Sequence, residues 1–393
     1  MSGAALGHIR VIEISGHVAG PYASSLLGDL GCDVIKVELP GEGDTHRGRN
    51  PLYDGYGPSF RVLNRNKRSL TLDIANPRGR EIITKLLQGA DVLVENFRPP
   101  TRDRLGLGYK EVSALNPRIV HCSITGFGQT GPYCEKPGFD TIGQALSGMM
   151  SLITDTADPQ VAGISFTDHC TGIFAAYGVL GALLARERTG RGQFVDASLL
   201  QVSLAFIESH IADFLNGGET VSRDNFPRGR IFCFVAEDGL PLVVHLSGHE
   251  SSWAGLLAVA GREDLLQDPR YKSRTERWEH HWQISRILAI EFKRKPRIEW
   301  LAALDLYSIA NAPIHKIDEV LDDPQIRHLG MPREVIHPQA GNTRLIGTGV
   351  NLSDIPTSIF RPAPLLGEQS NDILAELGLT QEQIEDLRTS GAI

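Results

Sequence analysis

The stretch Arg10-Val11-Ile12-Glu13-Ile14, then Ala19-Gly20-Pro21-Tyr22, then Asp33-Val34-Ile35-Lys36-Val37-Glu38, decides the fold of this chain. Arg10 to Ile14 reads as a strand, Tyr22 to Leu30 as a helix with Pro21 in its first turn, and Asp33 to Glu38 as the next strand. Strand, helix and strand in so short a span call for parallel strands joined by a right-handed crossover. The pattern continues with a strand from Ser69 to Ile74. Asn76-Pro77 then caps and opens a helix through Leu87. Asp91 to Phe97 and Arg118 to Thr125 are two more β-branched runs.

This alternation predicts an α/β chain whose large domain is Rossmann-like, with a mainly parallel sheet. A helix from Ile173 to Arg188 is followed by the turn Thr189-Gly190-Arg191-Gly192, a strand from Gln193 to Ala197, and helix to Leu215. Gly217-Gly218 and Asn225-Phe226-Pro227 break the pattern and mark a domain boundary. Ile231 to Ala236 and Leu240 to His245 read as a hairpin closed by Glu237-Asp238-Gly239, and Trp- and Arg-rich helices run on to about Ala303. Residues 1–225 are therefore expected as the large domain and 226–325 as a smaller α+β domain. Residues 326–393 are expected to return to the large domain, with helices at Asp372 to Leu377 and Gln381 to Leu387.

The 393 residues are 41% hydrophobic and 22% charged, with a net charge of −8, which argues against nucleic acid or an anionic membrane as partner. Two local basic clusters, Arg61, Arg65, Lys67, Arg68 and Arg98, Arg102, Arg104, would suit a small polyanion. The five cysteines, Cys32, Cys122, Cys134, Cys170 and Cys233, form no CxxC pair and read as reduced thiols of a cytoplasmic protein. No ligand spacing for a metal stands out, and His280-His281 reads as surface. The N-terminus lacks a secretory pattern, and the longest apolar stretch, Gly172 to Ala185, is too short to span a bilayer.

Gly126-Phe127-Gly128-Gln129-Thr130-Gly131 fits GxGxxG after a strand, but Pro132 follows at once and helical periodicity resumes only near Asp140. A dinucleotide fingerprint must open a helix, so these glycines are expected to shape a loop close to a ligand or another backbone. Gly16 and Gly20 after the first strand fit a Rossmann-like layer without naming a cofactor. In Gly163-Ile164-Ser165-Phe166-Thr167-Asp168-His169, the carboxylate of Asp168 falls at a helix entrance. The macrodipole and free N–H groups there are expected to hold it ionised, able to attack an activated acyl group. The bland alternative is that Asp168 is only an N-cap.

Several segments together resemble the class III coenzyme A transferase family, the formyl-CoA and carnitine-CoA transferase group. They are Ala19-Gly20-Pro21, Gly31-Cys32-Asp33-Val34-Ile35-Lys36-Val37-Glu38, Asn64-Arg65-Asn66-Lys67-Arg68-Ser69, Glu95-Asn96-Phe97, Ser123-Ile124-Thr125-Gly126-Phe127-Gly128, Asp168, Thr189-Gly190-Arg191-Gly192-Gln193 and Pro364-Leu365-Leu366-Gly367-Glu368. They occur in family order along almost the whole chain. The resemblance implies CoA transfer between carboxylic acids, with acyl-CoA esters and small acids as substrates and no permanently bound cofactor. Asp168 would form a mixed anhydride and then an aspartyl-CoA thioester. By position, Arg104, Lys136 and Arg47 would meet CoA phosphates, with Asn96 and Phe97 lining the same site. The family fold is an interlocked homodimer.

Two departures bear on the substrate. The oxalate-using branch has a run of four glycines where this chain has Ser247-Gly248-His249-Glu250, which puts oxalate and formyl substrates in doubt. The family's α-methylacyl-CoA racemases, the runner-up reading with Asp168 as a base, carry a histidine where this chain has Phe139. Phenylalanine moves no proton, leaving His169 as the nearby imidazole. A silent CoA-binding protein is the third reading. The resemblance of Ser123 to Pro132 to members that handle dicarboxylates points to succinyl-CoA as donor.

Overall fold

The computed structural model describes residues 4–50, 52, 57–161, 163–217, 220–222 and 230–393. The chain divides into two compact units, residues 1–223 with 330–393, and residues 224–329. The breaks at Gly218 and Asn225-Phe226-Pro227 lie outside the described residues.

The first unit is built on six strands: β1 Arg10–Ile14, β2 Asp33–Glu38, β3 Lys67–Thr71, β4 Val92–Glu95, β5 Val120–Thr125 and β6 Phe194–Ser198. They lie in the order β3-β2-β1-β4-β5-β6 with every neighbouring pair parallel. The central strands carry apolar residues toward both faces, because helices cover both faces. Register makes this concrete: Val11 pairs with Val34 and Val92, while Ile12 pairs with Ile35 and Leu93. The valine layer packs with the helices Ala19–Asp29 and Phe166–Thr189. The isoleucine and leucine layer meets Pro77–Gln88 and the C-terminal helices Ser370–Glu376 and Gln381–Thr389. As the sequence suggests, the Asn76 side chain caps the Pro77–Gln88 helix by accepting the Arg78 N–H.

Two readings need correction. β3 begins at Lys67 rather than Ser69, because the charges at its start are neutralised inside the sheet. Lys67 Nζ lies 2.7 Å from Glu13 Oε2, and Arg68 meets Asp33 and Glu376. The long helix starts at Phe166, not near Ile173, and its 24 residues are long and apolar enough to cross a membrane by length and composition. In this fold one flank is core: Ala175, Val179, Ala182 and Leu183 pack toward the sheet, and Arg186 pairs with Asp91 at 3.0 Å. Gly172 lets the helix press against its neighbour, since a Cβ there would stand 2.9 Å from the Ala19 carbonyl oxygen.

The first unit also holds an antiparallel hairpin, Pro332–His337 with Gly341–Ile346, which the sequence reading missed. The second unit contains the expected hairpin, Ile231–Val235 with Pro241–His245, extended by a third antiparallel strand, Ala310–Pro313. Its core stacks Phe234 on Phe292 with ring centroids 4.0 Å apart, next to Trp300.

A buried ion cluster joins β1, β2 and the edge strand β3 of the large sheet. Glu13 accepts Lys36 at 2.9 Å and Lys67 at 2.7 Å, and Lys36 also reaches Asp44 at 3.1 Å. Burial pushes the Glu13 carboxyl up, but the two ammonium groups outweigh it and hold the carboxyl below its usual range. Glu13→Gln leaves Lys36 with Asp44 alone and deprives Lys67, whose ammonium burial already pulls down to about 7, of its counter-ion, and breaking such a buried pair costs about 3–5 kcal/mol. Urea unfolding of this variant is expected to show a loss of that order; a loss under about 1 kcal/mol would contradict the assignment.

Candidate active site

In a sheet ordered 3-2-1-4-5-6 the chain reverses direction of travel between β1 and β4, and the crevice beyond their carboxyl ends is where ligands bind. A cavity of about 370 Å³ lies there. Its floor is the ends of three strands, with His17 and Ala19 after β1, Asn96 and Phe97 after β4, and Gly126 after β5. Lys136 to Phe139 form one wall, with Asp168 and Leu199 completing it.

The wall stands where it does because Gly126 and Gly138 lie back to back. A Cβ on Gly126 would be 2.8 Å from the Gly138 Cα. Gly126 thus serves close backbone approach, as expected, while Gly128 and Gly131 supply turns with positive φ, and the next helix opens only at Asp140. Asn96 fixes the opposite side: its amide donates to the Gly16 carbonyl at 2.8 Å and accepts the Gly16 N–H at 3.2 Å. The loop after β1 is thereby clamped to the end of β4. His17 in that loop has φ of 66°, a left-handed conformation that is uncommon for a side-chain-bearing residue. Its ring meets Phe139 edge-on at 5.8 Å.

Asp168 sits in the first turn of the Phe166–Thr189 helix, with Ser165 at the N-cap position. It is therefore not the cap. The backbone N–H of Asp168 is taken by Asp140 Oδ1 at 3.0 Å, and Gln144 donates to the other Asp140 oxygen at 2.6 Å. The Asp168 carboxyl itself accepts no hydrogen bond among the described residues. The expectation that the helix terminus holds Asp168 ionised is overturned: burial, then the Asp140 charge, pushes its carboxyl up to about 7. Asp140 is itself raised by burial, against the pull of the backbone N–H groups it accepts. Of two carboxylates so close, the one with the donors keeps the charge and the other takes the proton.

Of the residues expected at the site, Asp168, Asn96, Phe97 and Lys136 line this cavity. Lys136 carries its ammonium group 3.9 Å over the Tyr133 ring. Arg104 does not line it; it is exposed at the end of the Pro99–Arg104 helix, ahead of Leu105. Leu105 belongs to a second cavity of about 370 Å³, which Asn96 and Phe97 also line, with Leu72 and Ile74 on its far side. Arg47 is a correction: its guanidinium forks onto both oxygens of Glu38 at 2.8 and 2.7 Å, donates to the Pro364 carbonyl, and lies over Phe60, so it lines neither cavity. The cluster of Arg61, Arg65, Lys67 and Arg68 is likewise no polyanion patch. Arg65 is held by Asp29, Lys67 by Glu13, Arg68 by Asp33 and Glu376, and Arg61 by Thr343. His169 turns away, its ring against Tyr22 and its Nδ1 at 2.7 Å from the Ser165 carbonyl.

Sequence reasoning missed His17 and Asp140 as site residues. No spacing links Asp140 to Asp168, 28 positions away, and only the fold brings them together. Arg98, noticed only as part of a basic cluster, also lines the cavity.

A carboxyl raised in the folded state stabilises the protein below its unfolded value of 3.8 and loses that contribution as pH rises through about 7. Asp168→Asn removes the burdensome charge. Its melting temperature is expected to match wild type below about pH 4, to exceed it increasingly between about pH 4 and pH 7, and to hold a constant gain above that. A difference that stays flat with pH would show Asp168 to be an ordinary solvated carboxylate.

Comparison with known proteins places this geometry. Residues 6–370 match CoA-transferase family III. Succinyl-CoA:glutarate CoA-transferase of Mus musculus is 34% identical over 391 residues, covering 98% of this chain and 89% of the relative. Formyl-CoA:oxalate CoA-transferase of Streptomyces coelicolor is 34% identical over 415 residues, covering 100% of both. A crystal structure of a CAIB/BAIF family protein from Brucella suis superposes with a TM-score of 0.84 at 32% identity, over 95% of this chain and 100% of that one. The chain belongs to CoA-transferase family III and is a CoA-transferase enzyme.

Proposed function

We propose that the enzyme moves CoA from a dicarboxylic acyl-CoA, succinyl-CoA in the first place, to a second carboxylic acid, with Asp168 as nucleophile. The observation that carries this reading is a carboxyl without hydrogen-bond donors, standing on the wall of a cavity at the sheet's switch point. An aspartate oxygen attacks the thioester carbonyl; the new C–O bond forms as the C–S bond breaks, and the sulfur leaves as thiolate with the electron pair. The thiolate then attacks the aspartyl carbonyl of the mixed anhydride, the donor acid departs as carboxylate, and Asp168 carries CoA as a thioester. An acceptor carboxylate attacks that thioester and expels the thiolate. Thiolate attack on the acceptor's own carbonyl frees Asp168 and yields the new acyl-CoA. Each step makes an oxyanion for backbone N–H groups to meet.

The CoA chain would run from the Asp168 cavity past Asn96 and Phe97 into the second cavity, whose apolar lining suits an adenine ring. Lys136 and Arg104 would meet its phosphates and Arg98 the far carboxylate of the acyl group. The names of relatives that use succinyl-CoA, with glutarate or with D-citramalate, support the choice of donor. Five free cysteines support a cytoplasmic setting. A homodimer is supported by the exposed apolar stripe Ile173, Phe174, Tyr177 and Leu184 on the long helix. A monomer in sedimentation at micromolar concentration would overturn that part.

The chemical test is a screen of acyl-CoA donors against carboxylic acids, run with wild type and Asp168→Ala. The variant is expected to fold and lose transfer by at least about 10³-fold. Wild type under turnover with hydroxylamine is expected to yield a hydroxamate on the Asp168 peptide. An unmodified peptide, or near-normal turnover by Asp168→Ala, would sink the mechanism. In the same assay Lys136→Ala should raise KM for the acyl-CoA with little change in kcat, because it grips ground and transition states alike.

A further inference from the structure

The Asp168 carboxyl is approached from one side by a second carboxyl that belongs to another helix. Asp140 opens the helix Asp140–Leu146, is only 9% exposed, and points at the start of the Phe166–Thr189 helix. It does there what an N-cap would do, accepting the Asp168 N–H at 3.0 Å, while Ser165 at the N-cap position makes no side-chain bond. Gln144, one turn along, is buried and gives its amide to Asp140 Oδ2 at 2.6 Å. A glycine makes the approach close: a Cβ on Gly143 would stand 3.0 Å from the Thr167 Cγ2.

Resting on the reading of Asp168 as nucleophile, we propose that Asp140 is a positioning residue of the transfer reaction, which holds the Asp168 backbone from the helix terminus and sets a second carboxylate beside its side chain, a repulsion relieved when Asp168 is acylated. The charge balance is explicit. Attack consumes the negative charge on the aspartate oxygen, and the breaking C–S bond delivers it to sulfur, away from Asp140. Both covalent states of Asp168, anhydride and thioester, are neutral beside the Asp140 carboxylate. Asp140 thus raises the free enzyme toward the intermediates, and a more basic carboxylate is also the better nucleophile.

Other groups around Asp168 do not supply this effect. Its own helix offers His169, turned to Tyr22 and Ser165, and Cys170, whose thiol is raised by burial. The Ala19–Asp29 helix contributes Tyr22, and Leu199–Phe206 has no ionisable side chain. β5 carries His121 beside Glu95 and the buried thiol Cys122, and β6 carries Asp196, which accepts from Gln129. On the cavity wall His17 faces Phe139, Cys134 is a free thiol, Arg98 donates to the Glu135 carbonyl and Lys136 lies on Tyr133. Burial and Asp140 are what raise the Asp168 carboxyl.

The test uses Asp140→Asn, which keeps a carbonyl for the Asp168 N–H and removes only the charge. The acid limb of kcat/KM for the acyl-CoA is expected to move to lower pH by about one unit. In parallel, the melting-temperature gain of Asp168→Asn at pH 8 is expected to shrink when Asp140→Asn is already present. Gln144→Leu is the second variant: without its amide donor Asp140 takes the proton more readily, so the limb should again move down. A limb that stays put in both variants, or a uniform loss of rate without a shift, marks a structural cap only and overturns the proposal. The melting-temperature cycle needs no catalysis, so failure of the nucleophile reading shows separately, as a missing hydroxamate in wild type.

Discussion

The large unit depends on neutralising charge where water cannot reach. Glu13, Lys36, Lys67 and Asp44 are all buried, on three neighbouring strands and the segment after the second. Buried ions are costly alone, and these four satisfy one another and nearby backbone oxygens. Lys36 Nζ also donates to the Ser15 carbonyl at 2.8 Å and Lys67 Nζ to the Pro21 carbonyl at 2.8 Å. Both acceptors flank the loop that presents His17 to the cavity. The ion cluster is therefore the footing of the site, tying the loop after β1 to the sheet before any ligand arrives.

A helix terminus normally favours an anion through its dipole and free N–H groups. In this enzyme the favour goes to Asp140, which sits outside the helix, while Asp168 inside the first turn has its N–H taken and its carboxyl left without a donor among the described residues. Two carboxylates in one neighbourhood acquire different roles because donors are shared unequally between them. With Asp168 as the proposed nucleophile, a CoA-transferase would gain from this division, since that carboxylate must be reactive enough to open a thioester and yet become a good acyl carrier afterwards.

The alternation of short apolar strands with helices made the parallel sheet legible, because sheets covered on both faces carry unbroken apolar runs such as Val92-Leu93-Val94. Asp168, Asn96, Phe97 and Lys136 were reachable through resemblance, and all four line one cavity. What failed were inferences from charge alone. Arg47, Arg65 and Arg68 read as available cations, yet Glu38, Asp29 and Asp33, between 9 and 36 residues away in sequence, already claim them. Which residues meet is set by how turns, helices and strands pack together, and single-sequence periodicity does not carry that. Asp140 escaped notice for the same reason, as did the hairpin after residue 330, whose strands are largely exposed and lack a clear alternation.

The back-to-back contact of Gly126 and Gly138 has a consequence for how such a cavity can change over evolutionary time. A methyl group on either residue collides with the other's main chain, so neither position can accept even alanine unless the backbone moves. That wall is frozen in shape. Adaptation to acids of different length must then fall on side chains that project from the fixed frame, Phe139, His17, Leu199 and Arg98 among them. Under the proposed function, substrate preference would drift by single substitutions there while the distance between the wall and Asp168 is inherited unchanged.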